Sequence, residues 1–478
     1  MNAALLIDFG STYTKVRAVD LDAREIAATA QGPSTVTTDV NIGLDAALGA
    51  LKGRLGDLPR FRYRLAASSA AGGLRMVTIG LVRELTAQAA REAALGAGAK
   101  LVGCFAYRLT RGDVARIIDL EPDIVLLCGG TDGGDSAVIL HNARALARSA
   151  LDRPIVVAGN RDAAEEIAEV LAAARKPHVV ADNVMPELNV LRTEGAREAI
   201  RGVFIRRIVH AKGVDRARER LDVLMPTPAA VLDAAELLAN GVQGGDGLGE
   251  LLVVDPGGAT TDVHSICAGA PSVDGVVQQG MPEPFAKRTV EGDLGMRHNA
   301  ASIVEACGAA RIAVEARITQ SLLEALLARI AADAGRLPES DEDVRLDLAL
   351  ARAAVGLAVK RHAGTREIAY TALGPVQVQR GKDLSRVRTL IGTGGVIAAS
   401  AAPEAILRAA LADPAEPASL RPKAPEWRID RDYALFACGL LARVERRAAY
   451  ELAMATLSGP SGERQRESCT ACRPSSGR

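Results

Sequence analysis

Leu5-Leu6-Ile7-Asp8-Phe9-Gly10-Ser11-Thr12-Tyr13-Thr14-Lys15-Val16 and Leu252-Val253-Val254-Asp255-Pro256-Gly257-Gly258-Ala259-Thr260-Thr261-Asp262-Val263 are two writings of one pattern, D-x-G-x-x-x-T-x-V. Each begins with an apolar run that suits a buried strand, reaches an Asp, turns at Gly and small hydroxyl residues, and resumes with β-branched residues. That is the grammar of a β-hairpin. Two copies predict two related half-structures. At such a turn the missing Cβ lets backbone N–H groups approach a phosphate, Ser and Thr hydroxyls add donors, and the Asp can hold a hydrated Mg²⁺. Two facing hairpins would clamp the phosphate tail of a nucleotide between them.

Composition bounds the rest. A chain of 478 residues is long for one hydrophobic core and predicts two or three domains. Hydrophobic residues make up 48% but aromatics only 3%, so the interior is built from Ala, Leu, Val and Ile, which suits close-packed α/β layers. Lys plus Arg and Asp plus Glu are both 58. That balance disfavours nucleic-acid binding, which needs a basic field. No apolar run has the length of a membrane span, and the first residues lack a basic segment followed by a small-residue cleavage site, so a cytoplasmic location is expected. Seven cysteines are scattered, most of them in apolar surroundings that predict core thiols. Cys469 and Cys472 have the spacing of half a metal site, with no second pair or nearby His to complete it.

Along the chain, strand signals surround residues 25–29 and 63–67, with a helix near 44–51. The stretch 68–240 has its own alternation of strands and helices and is expected to be an inserted α/β domain with a doubly wound parallel sheet. Within it Gly129-Gly130-Thr131-Asp132-Gly133-Gly134-Asp135 lies between a strand and a helix, where it makes either an anion site or a tight turn. Gly241-Val242-Gln243-Gly244-Gly245-Asp246-Gly247 marks a boundary before the second hairpin. Residues 290–361 have helical spacing, divided by Pro338 and an acidic run. The division expected is therefore 1–67 as the first lobe, joined by a returning C-terminal helix, then 68–240 as insertion, 241–457 as the second lobe and 458–478 as a disordered tail.

The two hairpins, together with Ile391-Gly392-Thr393-Gly394-Gly395-Val396-Ile397, resemble the actin, hexokinase and heat-shock-chaperone ATPase superfamily in both motif and order. The resemblance implies a two-lobed, ribonuclease H-like duplicated α/β ATPase. Asp8 and Asp255 would organise the waters of Mg²⁺ and orient the attacking water. Gly10, Ser11, Thr12, Gly257, Gly258, Thr260 and Thr261 would meet the phosphates, and Gly392, Gly394 and Gly395 would border the adenosine. Lys15 follows the first turn, and strand alternation decides whether it reaches a phosphate. Asp262 either supports Asp255 from behind or points to solvent. Pro256 departs from the superfamily pattern by removing a backbone donor. The histidines show no ligand spacing, so the only metal implied is nucleotide-bound Mg²⁺.

Longer strings narrow the resemblance: Ser68-Ser69-Ala70-Ala71-Gly72-Gly73-Leu74, Ile139-Leu140-His141-Asn142-Ala143 and Asp182-Asn183-Val184-Met185-Pro186 are similar to the GlmL/MutL family over residues 4 to about 457. Those proteins are accessory factors of adenosylcobalamin-dependent glutamate (methylaspartate) mutase, unrelated to the mismatch-repair protein that shares a name. The resemblance implies ATP hydrolysis coupled to remodelling of the mutase, with release of damaged cobalamin and the insertion as docking surface. No Asp-x-His-x-x-Gly string is present, which speaks against direct cobalamin contact. Three alternatives stand beside it: a reactivase of another cobalamin-dependent aminomutase, a small-molecule kinase, and a nucleotide-controlled assembly protein.

Overall fold

The computed structural model describes residues 2–10, 13–35, 39–68, 74–83, 85–209, 221–372 and 374–458. Ser11, Thr12, the segment 69–73 and the tail with Cys469 and Cys472 lie outside the described residues. The first sheet is built from β1 (Ala3–Phe9), β2 (Tyr13–Asp20), β3 (Glu25–Pro33) and β4 (Phe61–Ser68), with α1 (Val40–Leu55) packed on it. Asp39 caps α1 by accepting the Asn41 N–H at 2.9 Å. β1 is buried along its whole length, as expected of an apolar central strand.

A second, wholly parallel sheet follows: β5 (Leu74–Gly80), β6 (Ala99–Ala106), β7 (Ile124–Leu127), β8 (Ile155–Val157) and β9 (His178–Val180), in the order β6-β5-β7-β8-β9. Its helices are α2 (Thr86–Gly96), α3 (Arg111–Asp119), α4 (Ala137–Ala147), α5 (Ala164–Ala173) and α6 (Glu194–Val209). This is the doubly wound arrangement. The chain then returns as β10 (Val223–Pro226), which pairs in parallel with β4 at the edge of the first sheet. That strand, which lies within the stretch read from the sequence as insertion, therefore completes the first lobe's sheet.

α7 (Thr227–Asn240) leads to the third sheet, formed by β11 (Leu251–Pro256), β12 (Thr261–Ile266), β14 (Ala286–Glu291), β17 (Thr389–Gly392), β18 (Glu426–Asp430) and the short β19 (Leu457–Ser458). β13 (Val276–Gln279), β15 (Thr365–Thr371) and β16 (Gly374–Arg380) make a small separate sheet. The helices of this half are α8 (Ala300–Cys307), α9 (Ala309–Ala316), α10 (Gln320–Ala332), α11 (Asp341–His362), α12 (Gly395–Ala399), α13 (Pro403–Leu407), α14 (Leu435–Leu441) and α15 (Arg446–Thr456). Residues 290–361 thus begin in a strand and hold four helices, because Gly308 at φ 89° and Arg317 at φ 54° end helices that the Ala/Leu spacing alone would continue. The acidic run does open a helix: Ser340 and Asp343 form a reciprocal capping box at the start of α11, with acids in its first turn and Lys360, Arg361 and His362 in its last.

The first and third sheets repeat one topology. The first runs β3-β2-β1-β4-β10 and the third β14-β12-β11-β17-β18, each with two antiparallel pairings followed by two parallel ones. One core cluster joins them through α7 and α14, from Leu6 and Leu65 across Ala230, Ala234 and Phe436 to Val253 and Ile391. α14 crosses α7 so closely that Gly439 has no room for a Cβ against the Ala230 carbonyl.

Candidate functional site

Both acidic hairpins close in the same way. Gly10 donates its N–H to the Tyr13 carbonyl at 3.0 Å, and Gly257 donates to Thr260 at 2.8 Å. A Cβ on Gly10 would stand 2.7 Å from the Tyr13 oxygen, which requires glycine there, and one on Gly257 3.0 Å from the Thr260 oxygen, which the turn meets only by giving a few tenths of an ångström. Both turns open on one cavity of about 780 Å³. Asp8, Gly10, Lys15, Asp255, Gly257, Gly258, Thr260, Gly394 and Gly395 all line it, across both lobes. Because Gly10 and Gly257 use their N–H groups to close the turns, Gly258, Ala259 and Thr260 are left facing the cavity in the second hairpin.

Register decides which side chains share the cleft. Lys15 stands directly opposite Asp8 on the antiparallel pair, hence on the same face, and its ammonium lies 4.0 Å from the centre of the Tyr433 ring. Burial holds the Lys15 ammonium below its ordinary range, opposed by the charge of Asp8. Asp8 is 2% exposed. Burial pushes its carboxyl up, opposed by Lys15, by a 2.8 Å hydrogen bond from the Thr227 hydroxyl and by Arg17. Asp255 is pushed up to about 7, first by burial and then by Asp262, which faces it across the hairpin.

Asp262 does not point to solvent. It accepts the Thr260 hydroxyl at 3.1 Å and forms a buried ion pair with Arg288, with Nε at 2.8 Å and Nη2 at 2.5 Å from Oδ1. The remaining Arg288 nitrogen, Nη1, donates to the Leu95 and Ala99 carbonyls at 3.1 and 3.0 Å, at the end of α2 and the start of β6. The second acidic hairpin is thereby tied to the insertion by a single guanidinium.

Two expected residues lie elsewhere. The Thr261 hydroxyl donates to the Leu294 carbonyl at 2.7 Å and is fully buried, because alternation turns it away from the face that carries Thr260. Gly392 ends β17 beneath the cleft, against Leu407 and Ile397. Gly394, at φ 93°, abuts Asp255: a Cβ there would lie 2.6 Å from Oδ1. Thr393 donates to Asp430 at 2.8 Å, and Asp430 in turn accepts the Ala434 and Leu435 N–H groups at the start of α14. Sequence reasoning passed over Thr227, Arg288, Tyr433 and the bidentate Arg297–Asp347 pair on the cleft wall, where nitrogen and oxygen approach to 2.7 and 2.5 Å. The pairing of Lys15 with Asp8 was legible in the hairpin register; Thr227 carried no signal, lying 219 residues from Asp8.

The glycine-rich turn at 129–135 is a tied loop. Asn183 donates to the Gly130 carbonyl and Asp132, Asn160 donates to the Gly134 and Asp135 carbonyls, and Asp135 accepts the Val138 N–H that an incoming anion would otherwise take. Among the described residues no helix is long and apolar enough to cross a membrane.

A duplicated sheet whose two acidic hairpins face each other across a shared cleft defines a body of the actin, hexokinase and heat-shock-chaperone type. The chain belongs to the MutL protein family, whose model matches residues 4–457. Protein MutL of Clostridium tetanomorphum is 48% identical over 444 residues, which cover 92% of this chain and 96% of that protein. Among solved structures, a glycerol dehydratase reactivase is 12% identical with a TM-score of 0.34, covering 92% of this chain and 99% of its own. The ethanolamine utilization protein EutJ from Carboxydothermus hydrogenoformans is also 12% identical, with a TM-score of 0.29 over 92% and 89% of the two chains. Xylulose kinase from Bifidobacterium adolescentis is 11% identical, with a TM-score of 0.32 over 96% and 94%.

Proposed function

We propose that the chain is an ATP-dependent reactivating factor for adenosylcobalamin-dependent glutamate (methylaspartate) mutase, and that it promotes exchange of damaged cobalamin. The observation that carries the reading is the convergence of Asp8 and Asp255, from two topologically equivalent hairpins, on one cavity in a MutL-family chain. The residues fit MgATP. Two carboxylates are too few for a protein cage and suit an ion that keeps waters and phosphate oxygens as its other ligands. The bare backbone of Gly394 and Gly395 leaves room for the adenosine on the far side of Asp255.

Bound MgATP would supply a phosphoryl group for transfer to water, chemistry in which a protein contributes positioning and charge neutralisation. Asp8, fixed by Thr227, and Asp255 orient waters; Lys15 balances their charge; Gly258, Ala259 and Thr260 offer donors. The Asp262–Arg288 pair ties the second turn to the insertion, so a shift of that hairpin is felt at α2 and β6. The region between β4 and β10 is the surface offered to the mutase.

The test incubates the purified chain with inactivated glutamate mutase, ATP, Mg²⁺ and fresh adenosylcobalamin. Recovered mutase activity that is lost in Asp8→Ala or Asp255→Ala supports the reading. Recovery that is absent, or indifferent to ATP, overturns it, and a phosphorylated small molecule as product transfers the chain to the kinases.

A further inference from the structure

The insertion itself contributes to the cleft. Leu74, Gly98 and Lys100 line the same cavity as the two acidic hairpins. The turn at Gly98 joins α2 to β6, whose second residue is Lys100, and this junction is clasped from both lobes. On one side Gly98, at φ 91°, packs its backbone so closely on Pro226 that a Cβ would lie 2.7 Å from the proline ring, next to the Thr227 that holds Asp8. On the other, Arg288 bonds the carbonyls of Leu95 and Ala99. Lys100 follows directly, and among the described residues it has no ion-pair partner.

The register of the third sheet places its ammonium. The β12–β14 pairing ends with Thr261 opposite Glu291, so the next positions beyond are Thr260 and Gly292. A Cβ on Gly292 would meet Lys100 Nζ at 3.4 Å. Along the edge of this sheet the order is therefore Lys100 beside Gly292 after β14, then Thr260 before β12, then Asp255 on β11, then Gly394 after β17. Lys100 and the Gly394 turn stand on opposite sides of Asp255, about three strand spacings or ~14 Å apart, on the scale of a nucleotide's ribose and phosphate tail.

Resting on the nucleotide reading above, we infer that Lys100 is a phosphate-binding residue donated by the insertion, which recognises the terminal phosphate of a nucleoside triphosphate at the end of the cleft remote from the adenosine. A charge in that place distinguishes triphosphate from diphosphate and reports the difference to the insertion through β6, the strand on which it sits.

Isothermal titration of the full chain with ATP analogue and with ADP, each with Mg²⁺, tests it. Lys100→Gln weakens the triphosphate about ten- to hundredfold while diphosphate affinity changes less than about threefold, and Lys100→Arg restores most of the loss. Equal changes for both nucleotides, or none, overturn this inference and leave the nucleotide reading standing. A wild-type chain that binds neither nucleotide removes both. Partial side-chain exposure of Lys100 on the cleft wall makes the variant a fair test of binding, and a thermal melt of Lys100→Gln matching wild type confirms that the fold is kept.

Discussion

The two hairpins close with the same glycine hydrogen bond but balance their acids in opposite ways. In β1–β2 the residue across from Asp8 is a cation, Lys15, and a hydroxyl from α7 adds a further bond. In β11–β12 the residue across from Asp255 is another acid, Asp262, whose charge among the described residues is matched by Arg288 reaching in from β14. One half carries its compensation on the neighbouring strand; the other obtains it from a residue that also holds the insertion. Sequence repetition preserved the turn, where backbone sterics leave little choice, and released the flanking positions to diverge.

If that contrast is correct, removing Arg288 is the most damaging change outside the acids themselves. Arg288→Ala leaves Asp262 buried and unpaired, at a cost of about 3–5 kcal/mol in denaturant unfolding, and adding Asp262→Asn recovers a large part. Lys15→Met in the first hairpin costs under about 1 kcal/mol, since Lys15 is half-buried and Asp8 keeps Thr227. Equal losses for the two variants would erase the difference between the halves. Next in size is the turnover proposed above: on that reading Asp8→Ala and Asp255→Ala each reduce ATP hydrolysis by about 10²–10³-fold, measured as phosphate release, and a variant retaining wild-type rate would exclude that acid from the chemistry.

A smaller effect follows from charge. Asp255 ionises near 3.8 when unfolded and near 7 in the cleft, so across that window the folded chain holds the extra proton and stability falls as pH rises. Asp255→Asn therefore stabilises the nucleotide-free chain at pH 8, by about 1–2 kcal/mol once solvent access is allowed for, and the gain shrinks toward zero near pH 4. A gain independent of pH would show that Asp255 is not the strained acid. Comparably small, Thr227→Val removes one neutral donor from Asp8, a loss of about 1 kcal/mol by urea titration. No change there would mean that the charges of Lys15 and Arg17 hold the first acid without the hydroxyl.

The hairpins, the glycine turn after β17 and the strand-helix alternation of the insertion were legible because each is local: an apolar run, a glycine, a change of period. What escaped was long-range. β10 is four residues long and reads as any apolar scrap until β4 is beside it. Arg288 lies in a strand at the start of a stretch whose later spacing is helical, and nothing in its neighbourhood announces Asp262. Thr261 sits in the motif beside Thr260 and shares its chemistry, yet one step along a strand reverses its direction.

The contact between Gly439 and Ala230 has a mechanical meaning. Where α14 crosses α7, backbone meets backbone between Gly439 and Ala230, and one turn further along α7 Asp233 pairs with Arg443 just beyond α14. The crossing therefore fixes the separation of the two helices at the centre of the core that joins the first and third sheets. A single added methyl at 439 would act as a wedge in the joint.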